Sequence, residues 1–213
     1  MGTRSNTLAR LLTVALAAAP LLASSGDGAQ DRYADRAHTP TELSDARRLP
    51  SRTVERPFRF AITVRAVDRP YDALLTKFDR GHWLRVEAWS DDAFLWDEDA
   101  FEDPAPYLFA RRGTAVAERL AGAKPYERLM VEGAVRQVFA GEPWIEIWSV
   151  RSAEPSITEA TVFHAARAIS LRRKGQDELA RSEMDSALAA PMPERQREAL
   201  EALRAEWGET VVR

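Results

Sequence analysis

The sequence predicts an α+β protein: a five-stranded β-barrel followed by a C-terminal α-helical hairpin with a third helix. Three observations lead there. Five short segments between residues 57 and 153 alternate apolar and polar side chains, the period of strands that bury one face. A stretch between the third and fourth segments, Gly113 to Gly122, switches to helical spacing. Beyond Pro155 the spacing turns helical and stays so to Trp207.

Composition bounds the function before any motif is read. A chain of 213 residues can bury a sizeable core, and its 45% apolar share is that of a folded protein. Lys+Arg number 30 against 33 Asp+Glu, a net charge of −3, which argues against a chain-wide attraction for nucleic acid or anionic lipid. There is no cysteine, so disulfides, thiol catalysis and cysteine-based zinc sites are excluded.

Residues 1–25 read as a secretory signal peptide. Arg4 and Arg10 precede the 13-residue apolar run Leu11–Ala23, and Ser24-Ser25-Gly26 forms a small-residue exit, with cleavage expected after Ser25. The run is shorter than the ~20 residues of a spanning helix. A periplasmic or extracellular protein with no transmembrane segment after cleavage is therefore expected. Residues 26–56 read as a flexible tether, polar and interrupted by Pro40 and Pro50, with room for one or two helical turns between Thr41 and Arg48.

The barrel strands follow. Phe58, Phe60, Ile62, Val64 and Ala66 alternate with Arg59, Ala61, Thr63 and Arg65. In the second strand Leu84, Val86 and Ala88 share one face, and Trp83, Arg85, Glu87 and Trp89 the other. Tyr107 to Ala110 makes a short third strand. Thr114 caps the helix that carries Val116, Ala117 and Leu120, and Gly122 stops it. The fourth strand places Leu129, Val131, Gly133 and Val135 inward, and an interior glycine marks a bend. After a turn at Ala140-Gly141, Ile145 and Ile147 point in while Trp144, Glu146 and Trp148 point out.

Three strands, a helix and two strands over residues 57–153 resemble the OB-fold. The likeness is most specific at Leu129-Met130-Val131-Glu132-Gly133-Ala134-Val135, Gly141 and Trp144-Ile145-Glu146-Ile147, which is similar to the closing hairpin of bacterial OB domains. It departs in the long loop 90–105. The resemblance implies a ligand along the outside of the second and third strands, stacked on aromatic side chains.

Residues 154–213 form the helical segment. Ser156 or Thr158 caps its first helix, which ends at Gly175; Gln176 opens the second, which Pro191-Met192-Pro193 ends; the third runs from Glu194 to Trp207. Ala168, Leu171, Gly175, Ala180, Met184 and Ala187 resemble a single tetratricopeptide repeat, with departures at His164 and Arg167. One repeat cannot bury its own apolar face. The hairpin must therefore pack on the barrel, a second copy or a partner.

The four outward tryptophans of the barrel are either covered by the helices or used as a stacking platform. The contact face expected on this reading is Trp83, Arg85, Trp89, Tyr107 and Trp148. The barrel holds more acidic than basic residues, which disfavours single-stranded nucleic acid, a ligand gripped chiefly through phosphates. An unknown protein, peptide or saccharide fits better. Loop 90–105 concentrates seven carboxylates, and Asp97, Asp99 and Asp103 form a weak calcium candidate. Yet Glu102 stands where an EF-hand needs its turn glycine, and Leu108 where it needs its bidentate Glu. A solvated loop with Phe94, Leu95, Trp96 and Phe101 tucked inward is expected instead, and no cofactor.

His38, His82 and His164 are isolated, and no nucleophile elbow, phosphate-binding loop or dinucleotide fingerprint occurs. The expected function is recognition by an exported, non-enzymatic binding or adaptor protein. The alternative is a protein–protein scaffold acting through its helical segment.

Overall fold

The structure is a computed structural model that describes residues 39–40, 42–73 and 76–209. The expected signal peptide lies outside the described residues. Five strands make the barrel: β1 (Pro57–Val67), β2 (Trp83–Ser90), β3 (Ala105–Arg111), β4 (Arg128–Phe139) and β5 (Glu142–Ser152). Seven helices accompany them: α1 (Leu43–Arg48), α2 (Pro50–Thr53), α3 (Glu98–Glu102), α4 (Ala115–Ala121), α5 (Glu159–Arg173), α6 (Asp177–Ala189) and α7 (Glu194–Glu209).

The strands pair in the order β1-β2-β3-β5-β4, and β4 returns to β1, so the sheet closes. Neighbours run antiparallel except β3 and β5, which pair in parallel through Leu108–Ile145 and Ala110–Ile147. This is the five-stranded OB-like barrel followed by helices that the alternation predicts. Phe58, Phe60, Ile62, Val64, Leu84, Val86, Leu108, Leu129, Val131, Val135, Ile145 and Ile147 all join one buried cluster, which is the barrel interior. Ala66, expected in the same row, is the exception: a bulge after Val64 shifts the register, and Val67 packs against the interior instead.

α4 sits where expected, between β3 and β4, and its Leu120 and Ala117 join the interior. Its start is fixed by Thr114, whose hydroxyl accepts the Ala117 amide at 3.2 Å. Gly122 ends it.

Residues 42–56, expected within the flexible tether, are folded, and the helical turns expected up to Arg48 form as α1; residues 26–38 and 41 lie outside the described residues. Leu43 and Ala46, three apart on one face of α1, are fully buried in the barrel interior. Thr39–Pro40 pairs in parallel with Phe58 and Arg59 at the start of β1. Two buried side chains among many polar ones give too weak a period to predict this docking, and Arg47 supplies a second attachment. Its guanidinium meets Asp103 at 2.8 Å and Glu142 at 3.1 Å, which raises its pKa against the opposing effect of burial.

The closing hairpin turns at Ala140 (φ 51°) and Gly141 (φ 84°), two left-handed residues as a two-residue type I′ connection requires. A bulge separates Glu132 from Gly133. At Gly133 a Cβ would stand 2.4 Å from the carbonyl oxygen of Glu146, so only glycine lets β4 and β5 cross here. Gly133→Ala should therefore lower the stability of the purified protein by about 2–3 kcal/mol in urea titration. A variant as stable as the parent would contradict this close approach.

Candidate functional site

The expected contact face does lie outside the barrel interior, but much of it is covered by the chain itself. The connection between β1 and β2 lays Tyr71 and Phe78 over the outer face of β3 and β5. Phe78 stacks on Phe109 at 4.3 Å, and Phe109 on Trp144 at 5.1 Å. Tyr107 stacks on Trp144 at 4.3 Å with the planes 12° apart. Trp83 meets Phe78 edge-on at 4.8 Å. Trp144, Phe78 and Phe109 are consequently buried, while Trp83 and Tyr107 are half-buried against them. The Tyr71 hydroxyl donates to the Phe78 carbonyl at 2.9 Å and pins the connection in place.

Arg85 is a strut, not a contact residue. Its Nε donates to Pro106 O at 2.6 Å, its Nη1 to Pro70 O at 2.8 Å and its Nη2 to Glu87 Oε1 at 2.5 Å. The guanidinium also lies 5.4 Å from the centre of the Tyr107 ring. Both members of the Arg85–Glu87 pair are about nine-tenths buried. Trp89 is 2% exposed, with its indole N–H donating to Phe101 O at 2.9 Å and its ring stacked on Phe101 and Tyr126. Arg85 and Trp89 are thus withdrawn from the expected face. Alternation tells inside from outside of a barrel; it does not tell whether another segment lies over the outside. Trp148 is half-buried, with Arg136 5.7 Å above its ring.

The acidic loop does not gather a calcium site. Asp97 caps α3 by accepting the amides of Asp99 at 3.0 Å and Ala100 at 3.3 Å. Asp103 gives both oxygens to Arg47. Asp91 does the same for Arg128, at 2.6 and 2.7 Å. Among the described residues no group of three His, Asp or Glu side chains could hold a metal ion. Asp91, Asp92 and Asp103 serve instead to join elements. Ser44 of α1 donates to Asp92 at 2.5 Å, Gln196 of α7 donates to Asp91 O at 2.8 Å, and Arg195 of α7 reaches Glu42 at 2.7 Å. Burial works to raise the Asp92 carboxyl, yet hydrogen bonds involving Ser44 and Ser90 hold it below the usual carboxylate range. Burial, aided by Asp92 beside it, pushes Glu42 up.

His38 lies outside the described residues. His82 pairs with Asp79 at 2.8 Å on the surface, and His164 ties α5 to Glu183 of α6 at 2.6 Å.

An open groove of about 1130 Å³ forms where the loop meets the helices. Its foundation is a second buried cluster in which Trp89, Leu95 and Trp96 pack with Val162 and Ala165 of α5, Met184 of α6, and Leu200 and Trp207 of α7. One wall is α5, through Val162, Phe163, Ala166 and Ile169; the other is α7, through Ala199, Ala202, Leu203 and Trp207. The third side is the loop, where Phe94 stacks on Trp96 at 5.2 Å beneath a rim of Asp97, Glu98 and Asp99. Phe163 is 56% exposed, a large apolar side chain facing open space. Ala166, Ala199 and Ala202 keep the groove open, since larger side chains there would fill it. The inward loop aromatics were expected from the sequence. The groove was not, because its three sides come from segments spread over about a hundred residues that only the fold assembles.

No protein-family model matches the chain, and no curated protein matches it. Among the described residues no helix is long and apolar enough to cross a membrane.

Without Arg85 the buried Glu87 carboxylate keeps only Arg69 at 3.5 Å, and the Pro70 and Pro106 carbonyls lose their donor. Arg85→Ala should therefore cost about 3–5 kcal/mol in urea denaturation, and Arg85→Met combined with Glu87→Met should recover only part of it. An Arg85→Ala variant of unchanged stability would return Arg85 to the list of contact residues.

Proposed function

We propose that the protein is an exported, non-enzymatic binding or adaptor protein that holds a polypeptide ligand in the groove between loop 94–101, α5 and α7. One observation carries this reading: the groove gathers the 56% exposed Phe163 and the partly buried Phe94, Ile169 and Leu203 along one open concavity, whereas the other exposed large apolar side chains, Leu49, Val54, Phe139 and Leu179, lie apart from it. Apolar concavities with a polar rim are favoured ligand sites. The barrel supplies the base, and the tetratricopeptide-like hairpin with its third helix supplies two walls. A hairpin of this kind leaves an apolar face to be completed, and a partner segment completes it here. Export rests on Arg4, Arg10 and the run Leu11–Ala23.

Peptides from a phage-displayed library selected on the protein provide the test. Ala166→Leu with Ala202→Leu fills the groove at positions that are half-buried and exposed. The filled variant should keep the parent melting temperature and lose about tenfold or more of the affinity for the selected peptides. Trp148→Ala should bind as the parent does. Selected peptides indifferent to the filling, or cell-wall oligosaccharides that bind and lose affinity in Trp148→Ala, would contradict the reading.

A further inference from the structure

Resting on that reading, we propose that the ligand enters the groove as an amphipathic helix with lysine or arginine flanking its apolar stripe. The shape of the groove comes first. Its volume of about 1130 Å³ exceeds the roughly 300–1,000 Å³ of small-molecule pockets, and it is open. Along α5 the lining residues Val162, Ala166, Ile169 and Arg173 recur at steps of three and four, a single helical stripe. At 1.5 Å per residue that stripe is about 16 Å long, the length of a three-turn segment. Ala199, Ala202 and Glu206 repeat the same steps along α7. Small side chains on both walls let a third helix approach to the usual interaxial distance of about 8–10 Å.

Backbone chemistry selects a helix over an extended strand. A bound strand needs partners for its amides and carbonyls. Both long walls are helices, whose mid-segment backbone groups bond to one another and leave only side chains facing the groove. A helical ligand satisfies its own backbone and asks the site only for apolar contact.

Charge selects the sign. Asp97, Glu98, Asp99 and Glu206 line the groove against Arg172 and Arg173, and Arg172 is held by Asp177 at 2.6 Å. Asp97, Glu98 and Asp99 are exposed, so their field acts on an arriving ligand and weakens with salt. Cationic flanks complement this rim, and anionic ones are repelled by it.

The test uses the folded chain and three fluorescein-labelled synthetic peptides of about eighteen residues, five turns of helix. One is a Leu/Lys sequence with a helical apolar stripe, one its Leu/Glu counterpart, and one the Leu/Lys composition scrambled to remove the stripe. By anisotropy the striped Leu/Lys peptide should bind at least about tenfold tighter than either control. Glu98→Lys with Asp99→Lys should move the preference toward Leu/Glu. Equal binding of the scrambled peptide overturns the helix, and equal binding of Leu/Glu overturns the charge; the groove reading survives both if Ala166→Leu with Ala202→Leu abolishes binding. Peptide binding that ignores the filled groove, with phage-selected peptides equally indifferent, removes the groove reading itself. Binding by none of the three synthetic peptides overturns the inference, and so does a groove-dependent dimer in sedimentation, which makes a second copy the occupant. Peptide binding that appears only when residues 1–25 are removed assigns the groove to the chain's own N-terminal segment and likewise overturns it.

Discussion

The indole of Trp89 lies at the end of β2 with its flat face outside the barrel, and it cannot be left in water without cost. Burying a side chain of this size is worth up to about 4–6 kcal/mol at the usual apolar coefficient. The chain meets the demand by folding its own loop back: Phe101 and Tyr126 stack on the ring, and the Phe101 carbonyl accepts the indole N–H. That placement carries Leu95 and Trp96 into the position where α5, α6 and α7 close over them. Barrel and helices share one apolar cluster because one aromatic side chain requires cover, and the groove is the part of that cover left unfinished.

Polar contacts set the orientation of what the apolar cluster holds together. Arg128 and Gln196 meet at Asp91 from β4 and α7, and Ser44 and Arg195 meet at Asp92 and Glu42. Partly exposed ion pairs of this kind add little stability singly. Their directionality fixes α1 and the start of α7 against one loop. Asp91, Asp92 and Asp103 thus act as fasteners between elements and Asp97 caps α3, while Glu98 and Asp99 stay exposed on the rim of the groove.

The barrel was legible because period-two alternation is a local property. Leu84, Val86 and Ala88 must share a face once β2 is extended, whatever the rest of the chain does. Helix starts were legible for the same reason, since Thr114 and Thr158 each act within their own first turn. Cover is not local. Nothing near Trp144 announces that Phe78, some sixty-six residues earlier in the sequence, lies on it, and nothing near Arg85 announces Pro70 O and Pro106 O as acceptors. The turns of α1 were legible between Thr41 and Arg48, but not their docking, because Leu43 and Ala46 are two apolar residues in a polar stretch and their burial depends on a barrel folded from later residues. The alanines of the groove carried no signal at all, since an alanine in a helix is the residue that needs the least explanation.

The account rests on barrel and helical segment being one cooperative structure joined through the Trp89 cluster. Differential scanning calorimetry of the chain from residue 26 onward tests this directly. A single transition whose calorimetric and van't Hoff enthalpies agree is the predicted result. Two separable transitions, with the helices melting apart from a barrel that stays folded, would contradict it.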